Sequence, residues 1–372
     1  MSRLEPKEKA KALPDKPGVY IMKNNTGSII YIGKAKVLRN RAGQYFQKSG
    51  SHPPKILRMV QEIRDIEYIV TDTEIEALLL ECKLIKEIKP YYNKLMKSES
   101  RYVFISINIG DDFPAVEITE ECDSRNLCFG PYTSSRSAEN AVKALIDFYK
   151  LRSCRGVFKG SSGCLRLQLG QCGGPCTGSA AKEGYAKQIN RAVDFLSGKD
   201  KSTIKQLERQ MHEAAEQLDF HKAAKLRDDI YSLKHIINKQ KAKSFTDRNR
   251  NIAVIEQIGN RKAKLLIISG TKLAASQILN IDELNERDFA GKIKTAIEDF
   301  IAHNINNSFE TDKENIDKAQ IIYSYLKNKK SCSYMVLPKS RGSCTKHNRL
   351  QVSAEMFANK ALKHFSGGSY EL

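Results

Sequence analysis

The stretch GVYIMKNNTGSIIYIGKAK, residues 18–36, limits the fold more tightly than any other part of the chain. Val19–Met22 and Ile29–Ile32 are β-branched and aromatic runs joined by a short Asn/Gly turn, the pattern of a β-hairpin. Two aromatic triplets, Gly18-Val19-Tyr20 and Tyr31-Ile32-Gly33, flank that turn. An ordinary hairpin accounts for strand tyrosines but not for the basic run after it. From Lys34 to Arg58 there are seven Lys/Arg and no Asp or Glu, with Tyr45 and Phe46 interleaved. Such a surface suits phosphate, and Lys36, Arg39, Lys48, Lys55 and Arg58 are its candidate contacts.

The balance of the whole chain points the same way. Its 62 Lys+Arg against 43 Asp+Glu leave a formal charge of +19 and a pI near 9.4, which favours a polyanionic partner. The 372 residues suffice for two or three domains, each burying a core. No stretch approaches the roughly 20 apolar residues that span a bilayer, and the start MSRLEPKEKAK lacks the apolar segment of a signal peptide. A cytoplasmic protein with no membrane partner is expected. Its nine cysteines should then be free thiols or ligands, not structural disulfides.

Beyond the hairpin, Ile66–Val70 reads as a strand and DTEIEALLLECKLIKEIKP as a helix stopped by Pro90, with Thr73 and Glu76 spaced as a capping box. Residues 103–150 suggest two short strands, a turn at FGPYTSSRSAEN and a helix over Ala138–Tyr149. Residues 152–178 are Gly- and Cys-rich without periodicity. Residues 202–240 are helical in pattern, broken near Asp219-Phe220. From 252 the chain has β character with turns at Gly259-Asn260 and Gly270. The tail suggests helices near 282–302, 313–327 and 352–365 and a strand over Tyr334–Leu337.

Three segments, LPDKPGVYIMKNNTGSIIYIGKAKVLRNRAGQYF, TDTEIEALLLECKLIKEIKPYYN and FGPYTSSRSAENAVKALIDFYKLRSC, together resemble the GIY-YIG endonuclease domain. More closely, they resemble its form in the UvrC family of bacterial nucleotide-excision repair, over about residues 12–275. The resemblance implies an α+β chain in four parts. These are a GIY-YIG domain over 1–97, with a small mixed sheet flanked by helices, and a connecting region over 98–200. A UVR-type helical hairpin over 201–240 and a C-terminal α/β region over 241–372 complete it. It also implies cleavage of double-stranded DNA with a divalent cation, magnesium or manganese. Tyr31 aligns with the general base. A free phenol titrates near 10, so a cationic neighbour, Lys34 or Arg41, is needed to favour phenolate and then to stabilise phosphate charge. Glu81 aligns with the single metal-binding carboxylate, waters completing the shell. Tyr20 and Tyr45 align with tyrosines around the attacking water, and Asn93 with a bracing residue. Cys82 departs from the family, which usually has a polar residue there, and MKSESRYVF departs from a more acidic segment.

Cys154, Cys164, Cys172 and Cys176 lie in CRGVFKGSSGCLRLQLGQCGGPC. Four soft ligands in a Gly-rich loop suit one tetrahedral zinc or one iron-sulfur cluster, and spacing alone does not choose. The resemblance implies a 4Fe-4S cluster. Cys332, Cys344 and His347 lack a clear fourth ligand and are expected to be structural, and Cys82, Cys122 and Cys128 to be bystanders.

In STIKQLERQMHEAAEQLDFHKAAKLRDDIYSLKHI, Leu207, Met211, Ala214 or Ala215 and Leu218 share one helix face, and Ala223, Ala224, Leu226 or Arg227 and Ile230 the opposing one. A hairpin packed on its own domain would look the same. The segment also resembles the UVR motif, which implies a UvrB-like partner. Leu218, Phe220, Ala223 and Leu226 are the candidate contacts, with Phe220 as the anchor.

The second nuclease half and the helix-hairpin-helix motifs of the family have no counterpart in these residues, so incision 3′ to damage is the expected activity. Two other readings stand beside it: a non-cutting module that binds a UvrB-like protein, and a GIY-YIG nuclease of another DNA pathway.

Overall fold

The computed structural model describes residues 5–47, 52–93, 102–154, 164–177, 179–248, 251–259, 261–281, 286–303, 315–328, 332–337, 353–362 and 365. They form an α+β chain with two compact units, Met1–Ser98 together with Phe245–Leu372, and Glu99–Ser244.

The first unit opens with α1 (Pro6–Lys11), β1 (Gly18–Lys23), β2 (Ile29–Ala35), α2 (Leu38–Gly43), α3 (Pro54–Glu62), β3 (Asp65–Val70) and α4 (Glu74–Ile88). The strand order is β2-β1-β3. Both pairings are antiparallel, so the sheet is not mixed as expected: the α2–α3 excursion returns the chain to the free edge of β1 running against it. Tyr20 faces Gly33 across the hairpin. A Cβ on Gly33 would collide with the Tyr20 hydroxyl, and one on Gly18 with the Ile69 carbonyl of β3. Each aromatic triplet therefore requires its glycine, because a tyrosine or a neighbouring strand occupies the space a side chain would need. α4 starts as its sequence suggests, with Thr73 accepting from Glu76 N while Glu76 caps Thr73 N at 3.0 Å.

The second unit contains β4 (Val103–Ile107), β5 (Val116–Thr119), β6 (Leu127–Tyr132), α5 (Ser135–Tyr149), α6 (Leu165–Gln168), α7 (Ser179–Leu196), α8 (Ser202–Glu216) and α9 (Phe220–Arg248). Its sheet order is β5-β4-β6. This is one strand more than the sequence suggests, because Gly130-Pro131 in β6 reads as a turn. Proline is tolerated there at a strand end on a sheet edge. α5 begins three residues before the expected Ala138, capped by Ser134. Cys122 and Cys128 form a disulfide across the β5–β6 connection, which corrects the reading of both as bystander thiols: six residues apart, Cys122 in the connection and Cys128 in β6, their Cα atoms stand 6.2 Å apart, within bridging distance. From the helical hairpin, Leu207, Ile230, Leu233 and Ile236 enter the same core as Ile105, Tyr149 and Phe195.

The chain then returns to the first unit with β7 (Asn251–Gln257), β8 (Lys262–Ser269), β9 (Lys272–Asn280), α10 (Glu286–His303), α11 (Asn315–Asn328), β10 (Cys332–Val336) and a helix, α12, over 353–362. The antiparallel order is β10-β7-β8-β9. β7 and β8 are apolar on both faces, as strands covered on both sides must be. Ala253, Ile255, Leu265 and Ile267 pack with α10. Ile252, Val254, Leu266 and Ile268 pack with α11 and with Ile75, Leu78 and Leu79 of α4. α4 thus lies between two sheets, since Ala77, Leu80 and Ile85 face the hairpin. The same arrangement accounts for Cys82. It is fully buried, and Asp317 and Lys318 of α11 contribute to its environment, so a polar side chain has no water there. Cys332 is buried too, whereas Cys344 and His347 lie outside the described residues.

Candidate active site

The β1–β2 hairpin, α2 and α4 bring most of the proposed catalytic side chains to one cleft. Tyr20, Tyr31, Lys34, Lys36, Arg41 and Glu81 line it, with Asn40 and Gln44, around a volume of about 480 Å³. That is room for a phosphodiester and its waters. Tyr20 comes from β1, Tyr31 and Lys34 from β2, and Arg41 from the exposed side of α2. Tyr45 follows α2 in a short turn.

The three tyrosines form a connected group. Tyr20 Oη and Tyr45 Oη are 3.0 Å apart, Tyr45 Oη donates to Tyr31 Oη at 3.3 Å, and the ring centroids stand 6.0 to 6.1 Å from one another. The Arg41 guanidinium carbon is 5.8 Å from the centre of the Tyr45 ring, and all three phenols lie in its field. Burial, then Tyr45 and Glu81, push the Tyr31 phenol well above its ordinary pKa. The expectation that Lys34 would draw Tyr31 toward phenolate is therefore corrected: the Lys34 ammonium is 2.7 Å from Glu74 Oε1 and directs its charge there. Glu74, one residue past the cap of α4, was not singled out from sequence. Its spacing of seven from Glu81, two helical turns along one face, is the signal that could have found it.

Among the described residues Glu81 is the one carboxylate lining the cleft. Its Oε1 accepts from Lys34 N at 2.9 Å, and among the described residues Oε2 has no hydrogen-bond partner. Burial raises its pKa, and the bond from Lys34 N and the charges of Lys34 and Arg41 pull the other way. A half-buried carboxylate with one open oxygen facing a cleft is suited to a hard cation that keeps most of its waters. Among the described residues no three His, Cys, Asp or Glu side chains gather as a ready-made metal cage. Asn93 braces the hairpin from behind, accepting from Ile32 N at 3.0 Å and donating to Ile32 O at 2.8 Å.

The candidate phosphate contacts divide. Lys36 lines the cleft and Arg58 is exposed on α3. Arg39 pairs with Asp15. Lys55 is taken up by the fold instead, donating to Tyr92 O at 2.9 Å with its ammonium 5.7 Å from the centre of the Tyr92 ring. Lys48 lies outside the described residues.

Of the four clustered cysteines, Cys172 is buried, Cys164 and Cys176 are half-buried and Cys154 is exposed. Cys172 Sγ accepts from Gly174 N at 3.4 Å. Burial pushes its thiol up, and Cys154, Cys164 and Cys176 lie near enough to add to that. At the tip of the α8–α9 hairpin Leu218 and Phe220 are 72% and 66% exposed, whereas Ala223 and Leu226 are half-buried. Among the described residues no helix is long and apolar enough to cross a membrane.

Residues 16–94 match the model of the UvrC-like GIY-YIG domain, 102–195 that of the UvrC/Cho excinuclease middle domain, and 201–236 that of the UvrB/uvrC motif. UvrABC system protein C of Caldanaerobacter subterraneus is 43% identical over 272 residues, 69% of this chain and 44% of that protein. The Clostridium perfringens protein of the same name is 36% identical over 345 residues, 89% of this chain and 55% of that protein. The chain spans about half the length of these curated relatives. A crystal structure of the GIY-YIG N-terminal endonuclease domain of UvrC from Thermotoga maritima, bound to magnesium, is 44% identical. The match covers 23% of this chain and 93% of that one with a TM-score of 0.21.

Proposed function

The chain belongs to the UvrC family, and from that premise we propose that it is a metal-dependent DNA endonuclease of GIY-YIG type that cuts 3′ to damage, working with a UvrB-like partner. The observation that carries this reading is the convergence of Tyr20, Tyr31, Arg41 and Glu81 on one cleft, with Tyr45 bonded to both tyrosines.

In-line hydrolysis of a phosphodiester requires an activated water and charge stabilisation at phosphorus. Glu81 would hold a magnesium or manganese ion, which would supply acidity for the attacking water and offset phosphate charge. Tyr31 would take the water's proton only as phenolate, a form that a bound cation and the Arg41 charge would favour against the burial that raises its pKa. The Tyr45 hydroxyl donates to Tyr31 Oη and stands 3.0 Å from Tyr20 Oη, which holds the Tyr31 oxygen in place. Arg41 is the fixed cation for the scissile phosphate, and Lys34 joins it by exchanging Glu74 for a phosphate oxygen. Lys36 and Arg58 carry the flanking backbone.

A duplex carrying a nick or bubble beside a lesion tests the assignment, with and without UvrA and UvrB. The expected result is one metal-dependent cut on the 3′ side. Partner binding without any cut would favour the non-cutting module instead.

Cys154, Cys164, Cys172 and Cys176 fit a 4Fe-4S cluster, with zinc as the other occupant such thiols accept. A buried sulfur that accepts a backbone N–H supports the fit, and the other three thiols lie near enough to raise its pKa, though among the described residues the four do not gather as a ready-made cage. Anaerobically purified protein is expected to be brown, with a broad band near roughly 400 nm that Cys172→Ser removes. Colourless protein with stoichiometric zinc would decide for the other metal.

A further inference from the structure

α4 carries Glu81, yet part of its burial comes from outside the lobe that contains the cleft. Its other side, Ile75, Leu78 and Leu79, lies on Ile252, Val254 and Leu266 of the C-terminal sheet. The polar member of that contact is Lys264 of β8. Its side chain is 8% exposed, and its ammonium donates to Asp72 Oδ2 and Glu76 Oε1, each at 2.6 Å. A lysine this buried is stable only when its charge is paired.

Glu76 makes two kinds of contact at once. Its Oε2 closes the capping box, receiving Thr73 N at 3.0 Å and Thr73 Oγ1 at 2.8 Å, while Oε1 is held by Lys264. The first turn of α4 is therefore tied to β8 through the same carboxylate that caps it. At the other end of the helix Lys86 reaches Asp317 of α11 at 3.1 Å.

We propose that the C-terminal sheet is a brace that sets the depth and rotation of α4, and that Lys264 is the positioning residue through which it fixes the Glu81 carboxylate against β2. The inference rests on the proposed metal role of Glu81. Geometry shows why a brace matters: a carboxylate about 6 Å from the helix axis moves about 2 Å when the helix turns by roughly 20°. A site of this kind works only within about 0.5 Å of its productive geometry. Two sheets gripping α4 from opposite sides remove that rotation, which a single sheet would leave to side-chain packing alone.

The test uses the full chain carrying Lys264→Met or the milder Asp72→Asn, with Mn(II) as the probe and electron paramagnetic resonance as the readout of free metal. Glu81→Gln identifies the isotherm that belongs to the cleft. Lys264→Met is expected to weaken that site about tenfold and Asp72→Asn about threefold. Amide exchange in residues 74–82 should quicken in both. Half-saturation of cutting should move to higher metal in the same proportion, with the maximal rate kept. If Lys264→Met does not fold, Asp72→Asn alone decides. Isotherms that superimpose on the unsubstituted protein would overturn the brace, as would a lower plateau with an unchanged half-saturation. A chain that binds Mn(II) and shifts as stated but cuts no DNA would instead overturn the nuclease reading and leave the brace standing.

Discussion

Glu81→Gln is expected to leave a folded chain that binds DNA as before and cuts it about 10³-fold more slowly. The glutamine amide can still accept from Lys34 N, so the local hydrogen bond seen for Glu81 survives, but a neutral oxygen holds a divalent cation poorly. Affinity for duplex should be unchanged or slightly higher, because affinity comes from Lys and Arg that displace counterions. Stability supplies an independent check. Burial holds the folded pKa of Glu81 above its unfolded value, and such an acid stabilises the fold only below that range, the benefit fading as pH rises through it. At neutral pH the substitution should therefore keep or raise the unfolding temperature. Cutting within tenfold of the unsubstituted protein would remove Glu81 from the chemistry.

Phe220→Ala should weaken binding of a UvrB-like helical hairpin by about 2 kcal/mol, roughly thirtyfold, and lower cutting of partner-loaded damaged duplex accordingly. Cutting of a permissive substrate without partner should hardly change. Leu218 gives the companion result. α8 ends in a Schellman turn, with Leu218 N bonded to Ala215 O and Asp219 N to Ala214 O, and the left-handed position that glycine ordinarily fills is held by leucine at φ 58°. A leucine there costs about 1 kcal/mol, and at 72% exposure it recovers little by packing. Leu218→Gly should therefore stabilise the hairpin and weaken the partner together. Binding that is unaffected in both variants would leave the exposed tip without this role.

The parts legible in the sequence were those coded by neighbours along the chain. The β1–β2 hairpin follows from runs of Val, Ile and Tyr around Asn24–Gly27, and the start of α4 from Thr73 and Glu76. What was hidden depends on distant partners. Glu76 reads as a cap, but its second oxygen belongs to Lys264, which no local spacing discloses. Lys34 reads as a cation for phosphate until Glu74 takes its charge. Strand β6 was masked by Gly130-Pro131, and the Cys122–Cys128 pair by the assumption of free thiols. One long-range feature did leave a mark: Ile75, Leu78 and Leu79 on one side of α4 and Ala77, Leu80 and Ile85 on the other make the helix apolar around most of its circumference, which means burial on two sides.

The first compact unit is split in sequence, Met1–Ser98 on one side of the Glu99–Ser244 unit and Phe245–Leu372 on the other. During translation α4 is made about 170 residues ahead of β7 and β8, which at roughly 5–20 residues per second is a delay of roughly ten to thirty seconds. Ile75, Leu78 and Leu79 have no sheet to cover them in that interval, while the unit between, contiguous in sequence, can complete its own core. The helix that bears Glu81 is thus synthesised early and finished late, its outer apolar face covered only once β7 and β8 have been made.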